Sequence, residues 1–284
     1  MSLLKLHDPT QSEASQKGQE IKFPNSASMP SNARVEKSVP LGVDRSEVDD
    51  GSVRADWSAY AKAYDLLSEH NPAYQAILQD FEAFLATIET PQLIYDIGGG
   101  TGNYTEIAAR AFPGSEIRLM EPDAGMIASA QSKLGTQGNI KYDALALENV
   151  NAPGTADLVI CVHALYAMPD QEQRLSDLRR LLRPGGWLYL VDLGRYMNVA
   201  DWRSYLFSSI KKEHGLVGAL RIFWQGREIA KQNKSILKAQ TNGVYWTHTE
   251  AEIASAATAA GLEIVRQQTV YRGYSDLLVC QAKP

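Results

Sequence analysis

The sequence predicts an α/β fold, doubly wound about a seven-stranded, mostly parallel sheet with an antiparallel last strand. Three observations carry that expectation. From Leu93 onward, short apolar runs alternate with amphipathic stretches of helical period, the pattern of parallel strands joined by crossover helices. The first run, LIYDI, leads into Gly98-Gly99-Gly100-Thr101-Gly102 ahead of a helix. The last two, GLEIVRQQTV and YSDLLVCQA, meet at Tyr271, Arg272, Gly273 and Tyr274, a hairpin turn that reverses the final strand.

Each segment follows in order. Residues 1–50 are rich in Ser, Gln, Asn, Pro and charge without an apolar period, and are expected to form a disordered or extended arm. Residues 51–90 are expected to be an N-terminal helical cap. There Trp57, Tyr60, Ala61, Tyr64 and Leu67 share one helix face, and Asn71-Pro72 reads as an N-cap and first-turn proline before a second amphipathic helix. Residues 91–192 hold five strands, LIYDI, EIRLME, NIKYDAL, ADLVICVH and WLYLVD. Asp123 caps the helix after the second, and RPGG ends the helix before the fifth. Residues 193–248 break the alternation. They read as helical from Asp201 to His214 and from about Leu216 to Ala239, an insertion before the sixth strand. In residues 249–284, Thr249 and Glu252 form a capping-box pattern ahead of a last helix and the closing strands.

Composition narrows the function. The 284 residues are 44% hydrophobic and 21% charged, as in an ordinary globular protein, with a net charge of -5 and no basic arm. Nucleic acid is therefore not an expected partner. Two cysteines, Cys161 and Cys280, lie in apolar runs and make no disulfide framework. The first residues lack a signal-type apolar core, and no run approaches a bilayer span. A cytoplasmic protein without a membrane partner is expected, its oligomeric state open and a homodimer included.

The strongest chemical signal is Asp96-Ile97-Gly98-Gly99-Gly100-Thr101-Gly102. Glycines after a strand let the backbone turn sharply and approach a ligand, and the helix start offers free amides. A nicotinamide dinucleotide site fits these features too. A P-loop does not, because the Lys-Ser/Thr ending is missing. No metal is expected: HExxH, CxxC and clustered cysteines are absent and the five histidines are scattered. A nucleophilic serine elbow is also missing.

The run from Leu93 to Gly102, with Glu121 ending the second strand and Asp143 ending the third, resembles the class I S-adenosylmethionine-dependent methyltransferases. DLVICVHALYAMPD and LLRPGGWLYLVD resemble that family's fourth strand and approach to its fifth. The resemblance implies methyl transfer from S-adenosyl-L-methionine, leaving S-adenosyl-L-homocysteine, to an O, N or C atom of a small molecule. It assigns Asp96, Gly98, Gly100 and Gly102 to the cofactor, Glu121 to the ribose hydroxyls and Asp143 to the adenine side. It also gives an N-terminal helix the part of a lid, in which Tyr60 contacts the cofactor and Tyr64 takes part in catalysis.

Strand order adds further candidates, since ligands sit beyond the carboxyl ends of parallel strands. His163 and Tyr166 follow the fourth strand, Arg195 the fifth, and Tyr271, Arg272 and Tyr274 the sixth. His163 is the candidate base for a hydroxyl acceptor. Tyr166, Arg195, Tyr271, Arg272 and Tyr274 are the candidate substrate residues, and the two arginines suggest an anionic acceptor. Gln232 and Asn233 offer amides from the insertion. Rival readings are a nicotinamide-dependent oxidoreductase, a non-catalytic S-adenosylmethionine-binding protein and a methyltransferase of macromolecules.

Overall fold

A computed structural model describes residues 54–135 and 138–283; the expected arm over residues 1–50 lies outside them. Two helices, α1 (Trp57–His70) and α2 (Pro72–Leu85), precede the sheet. Asn71 caps α2 as its sequence suggests, its side chain accepting from the amides of Ala73 and Tyr74. The alternating part then runs β1 (Leu93–Ile97), α3 (Asn103–Ala111), β2 (Glu116–Met120), α4 (Ala124–Leu134), β3 (Ile140–Asp143), β4 (Ala156–Val162), α5 (Gln171–Leu181) and β5 (Leu182–Leu193). The insertion is α6 (Val199–Gln225) and α7 (Arg227–Thr241). The chain closes with α8 (Glu250–Ala259), β6 (Leu262–Val270) and β7 (Ser275–Ala282).

The sheet order is β3-β2-β1-β4-β5-β7-β6. The first five strands are parallel, and β7 runs antiparallel between β5 and β6. Central strands buried on both faces need apolar side chains throughout, which is why β4 and β7 read as almost unbroken apolar runs. Cys161 and Cys280 sit inside those runs as buried free thiols.

Two boundaries differ from the sequence reading. Arg183, Pro184, Gly185 and Gly186 belong to β5 as an irregular extension, the pairing with β4 jumping from Ala156–Leu182 to Leu158–Trp187. In the insertion, helix α6 continues to Gln225 past a break at Gly215 (φ 71°, ψ 178°), and the separation from α7 falls at Gly226. The break read from the sequence between His214 and Leu216 is therefore present at Gly215; the further joint at Gly226 falls inside the stretch read as one helix, because the apolar pattern continues across it. The capping box of Thr249 and Glu252 is formed in full.

Candidate active site

Strand order reverses between β1 and β4, and the crevice beyond their carboxyl ends is where an open sheet holds ligands. The glycine loop fills one side of it. Gly98, Gly100 and Gly102 all have positive φ (66°, 56° and 82°), a region open to glycine and strained for other residues. Close approach is needed as well as turning: a Cβ on Gly98 would lie 2.5 Å from the Ala164 Cβ, in the loop after β4. At Gly100 a Cβ would meet nothing nearer than Met126 Sδ at 3.8 Å, so there the backbone faces open crevice. Gly98, Gly99 and Gly100 line a cavity of about 150 Å³.

Three carboxylates were expected there, and two line the cavity. Asp96 is buried, accepts a 2.7 Å hydrogen bond from Thr105 Oγ1, and has its pKa pushed up to about 6 by burial, against the Thr105 hydrogen bonds. Glu121 is also buried. It accepts from the amides of Gly100 (3.2 Å) and Asp123 (2.9 Å), one on each oxygen, and burial raises its pKa. Each Glu121 oxygen keeps a lone pair for a ligand hydroxyl. Asp143 is placed differently. Its carboxylate is clamped by Arg118 of the neighbouring strand (2.8 and 3.1 Å) and does not line the cavity. Sequence position cannot show that a guanidinium on β2 reaches the end of β3.

Helix α1 lies over the crevice, with Trp57 and Tyr64 in its roof. Polar ties hold both ends of the helix. Ser58 donates to the Asp123 carboxylate (2.9 Å), while Asp65 accepts from Thr101 Oγ1 (2.7 Å) and pairs with Lys133 (3.0 Å). Tyr60 is elsewhere: buried, its hydroxyl donates to Asn233 Oδ1 at 3.2 Å and its side chain is not part of the cavity wall. Gln232 likewise accepts from the Asp56 amide and donates to Glu228, so both insertion amides fasten the start of the lid. Pockets for drug-sized ligands run to about 300–1,000 Å³, so the cavity under Trp57 and Tyr64 is small for a nucleoside-sized molecule.

At the far end stand His163, Ala164 and Met168. His163 has φ 51°, a costly conformation for a non-glycine residue, and it holds the ring at the end of β4. Its Nε2 pairs with Ser275 Oγ at 2.9 Å, and burial lowers its pKa to about 4. The imidazole is therefore neutral at physiological pH but a weak base. Tyr64 is no base either, because burial raises its pKa well above 10.

The expected substrate rim is not assembled. Arg195 pairs with buried Asp276, and Arg272 makes a double hydrogen bond to Asp201 (2.7 and 3.2 Å) with its guanidinium 4.1 Å over the Tyr205 ring. Neither lines the crevice, so the anionic acceptor they suggested loses its basis. Tyr166 packs edge-on against Tyr245, and Tyr274 donates to Asp201. Tyr271 comes closest, its ring 4.8 Å from His163 and its hydroxyl accepting from Asn71.

Sequence reasoning passed over several residues that matter here. Tyr74 and Tyr104 line the cavity, and Tyr104 Oη is buried with no partner among the described residues. Its position directly after the glycine loop was the available signal. His248 was missed altogether. It lies between Asp192 (Nε2, 3.3 Å) and Asp276 (Nδ1, 3.3 Å), all three fully buried, and Arg195 completes a charge-balanced group. Burial alone would depress the His248 pKa; the two carboxylates outweigh it and raise it to about 9. Asp192 also accepts from the Tyr166 amide, so this cluster fixes the loop that carries His163.

An antiparallel strand between β5 and β6 departs from the all-parallel 3-2-1-4-5-6 order of dinucleotide folds. With the glycine loop directly after β1 and Glu121 directly after β2, this order matches the class I S-adenosylmethionine-dependent methyltransferase fold. Residues 95–188 match the model of a methyltransferase domain. The ubiquinone/menaquinone biosynthesis C-methyltransferase UbiE of Saccharophagus degradans is 24% identical over 184 residues, 62% of this chain and 74% of that protein. The malonyl-(acyl-carrier protein) O-methyltransferase 1 of Ilyobacter polytropus is 25% identical over 194 residues, 68% of this chain and 70% of that protein. A match at 27% identity to the non-reducing polyketide synthase adrD of Penicillium rubens covers 56% of this chain but spans only 6% of that protein's length. Among solved structures, the N-methyltransferase NodS of Bradyrhizobium japonicum, in complex with S-adenosylhomocysteine, superposes with a TM-score of 0.55 at 13% identity, over 81% of this chain and all of that one. Among the described residues no group of three or more His, Cys, Asp or Glu is placed to hold a metal.

Proposed function

We propose that this crevice holds S-adenosylmethionine against the glycine loop and directs its methyl group to a small acceptor lying between Tyr64, His163 and Met168. The single observation that carries this is the pairing of two buried carboxylates with an open glycine cradle. Asp96 and Glu121 are kept in the wall at an evident desolvation cost, with no cation beside either among the described residues. A ligand that brings hydroxyls to Glu121 and a cationic end to Asp96 relieves that cost. Tyr104 Oη, buried and unpartnered, gives the same region a hydrogen-bond donor.

The bound cofactor supplies a methyl group already activated on a sulfonium. The protein's residues position and exclude water. Trp57 and Tyr64 close over the crevice, the Tyr74 and Tyr104 rings wall it, and His163 is held rigidly to orient the acceptor. Since His163 and Tyr64 are both poor bases, the acceptor is one that arrives nucleophilic: a neutral amine, or an enolate or phenolate already ionised in water.

Calorimetry with S-adenosylhomocysteine tests the assignment. Wild type should bind, and Gly100→Val, which fills the open cradle, should abolish binding while unfolding cooperatively. Tight binding of NADH with no binding of S-adenosylhomocysteine would overturn it.

A further inference from the structure

We propose that the insertion docks on an anionic membrane surface through the outer face of α6 beyond Gly215, and that the acceptor is a lipophilic molecule drawn from that surface. The acceptor part rests on the methyl-transfer reading above; the docking stands on surface geometry and charge.

From Leu216 to Gln225 the helix is apolar on two sides. Ala219, Ile222 and Phe223 turn inward, as a packed helix requires. The outer side carries Leu216, Val217, Leu220 and Trp224 at 53, 82, 57 and 68% exposure. These are four of the six large apolar side chains left exposed among the described residues, and at helical spacing they fall within an arc of about 100°. Water should border this arc with polar side chains; contiguous apolar surface of this kind marks a contact.

Charge says what kind of contact. Lys211, Lys212, Arg221, Arg227, Lys231 and Lys234 are exposed on the same two helices. Residues 199–241 carry eight basic side chains against Asp201, Glu213 and Glu228, a net charge of +5 in a chain of net charge -5, which leaves -10 on the remainder. A negative surface attracts the insertion and repels the rest, so the charge orients the molecule as well as binding it. Trp224 has the Arg227 guanidinium 4.6 Å from its ring centroid, an aromatic and cation pair suited to headgroup depth. Four of these exposed cations, Lys211, Lys212, Lys231 and Lys234, are lysines, a residue depleted at protein–protein interfaces, which favours lipid over an acidic protein. No described helix is long and apolar enough to cross a membrane, so the contact is interfacial. The sequence reading expected no membrane partner because no run approaches a bilayer span; an interfacial stripe is visible only when the buried side of α6 is known.

The inner face of the same helix supplies the route. Ile222 and Phe223, with Leu206, Ile210, Ile229 and Leu66, line an apolar cavity of about 100 Å³. Trp202 and Asn71 lie in its wall and both touch Tyr271, at 4.5 Å between rings and 3.2 Å to the hydroxyl. Tyr271 also lies 4.8 Å from the His163 ring, so Trp202, Tyr271 and His163 form a stacked partition between the apolar cavity and the cofactor crevice. A lipophilic tail in the cavity therefore reaches His163 only by way of the Tyr271 ring.

Flotation of the full chain with vesicles tests the proposal. Wild type should float with phosphatidylcholine–phosphatidylglycerol vesicles, weakly with phosphatidylcholine alone, and less as salt rises. The double variant Leu220→Asp/Trp224→Asp should lose at least ~10-fold in partitioning. Val265→Asp, at an exposed apolar position on β6, should lose nothing, and S-adenosylhomocysteine affinity should stay unchanged in all three proteins. No flotation of wild type, or equal flotation of the double variant, overturns the docking. So does light scattering that shows a dimer broken by the double variant, or capture of an acidic acyl carrier protein in place of vesicles. Intact flotation by a wild type that binds no S-adenosylhomocysteine supports the docking and overturns the acceptor part together with the methyl-transfer reading.

Discussion

Replacing Asp96 with Asn probes what the cofactor crevice costs the fold. Asp96 is 2% exposed and has Thr105 beside it but no cation among the described residues. Burial lifts its pKa from 3.8 to about 6, so the native state holds a proton that the unfolded chain gives up earlier. Below pH ~4 the carboxyl is neutral in both states and nothing is lost. Between pH ~4 and ~6 the unfolded chain ionises first and native stability falls; above pH ~6 the full penalty stands. A displacement of about two units amounts to about 3 kcal/mol. Asp96→Asn keeps the shape and an oxygen for Thr105 while removing the charge. It should therefore be about 3 kcal/mol more stable than wild type at pH 8, or ~6–12 °C in Tm for a chain of this size, with the gap closing near pH 4. Urea unfolding followed by circular dichroism at pH 4, 6 and 8 reads both values. The same variant should bind S-adenosylmethionine ~10-fold or more weakly, having lost a charged hydrogen-bond acceptor. A variant no more stable than wild type at pH 8, or a gap that does not change with pH, would refute the claim that a buried charge is held at a cost for the ligand.

Other perturbations separate site from scaffold. His163→Gln should lower kcat while leaving the acid limb of the kcat/KM profile between pH 5.5 and 8 unmoved, because a group with a pKa of about 4 does not titrate there; loss of such a limb in the variant would restore His163 as a base. Arg272→Ala should cost about 1–2 kcal/mol through the lost Asp201 pair and ring stacking, a figure kept small because the Asp201 side chain is 39% exposed, and should leave S-adenosylhomocysteine affinity unchanged by calorimetry. His248→Gln strands two buried carboxylates and should cost about 3–5 kcal/mol at pH 6 in urea unfolding. In wild type the stability contributed by His248 is complete below its unfolded value near 6.5 and is lost as pH rises through about 9, so the cost of the variant should shrink toward pH 10.

The parts of this molecule legible in the sequence are those set by local backbone chemistry. Gly98, Gly100 and Gly102 announce a turn because positive φ selects glycine, and Asn71-Pro72 and Thr249–Glu252 announce helix starts because caps have short-range rules. Glu121 was legible for a related reason: a strand end beside a glycine loop fixes where its carboxylate points. Asp143 stands at an equivalent strand end, yet Arg118, 25 residues earlier, claims its carboxylate. Arg195 and Arg272 follow strands as a ligand-binding arginine would, and both serve acids that the chain itself brings near, Asp276 and Asp201. A side chain's place on the sheet was legible; the identity of its partner depended on contacts distant in sequence.

The same distinction explains why the insertion was the least legible region and is the one that most constrains the acceptor. Its helices carry apolar residues on more than one face, so no single period describes them: Ile222 and Phe223 line an internal cavity while Leu220 and Trp224 on the same turns face outward. In an isolated globular protein the second set would be a defect, since each exposed apolar side chain forgoes the transfer energy that burial would give. Three polar groups of the insertion serve the protein itself, Gln232 and Asn233 holding the lid and Asp201 holding Arg272. The cavity beyond Tyr271 is mostly apolar, with His70, Asn71, Arg203 and Asn233 also in its wall. On the proposed reading, a crevice lined by neither Arg195 nor Arg272 and holding no strong base, with a mostly apolar cavity behind the Trp202–Tyr271–His163 stack, selects by shape and hydrophobicity and leaves the nucleophile to come from the acceptor itself.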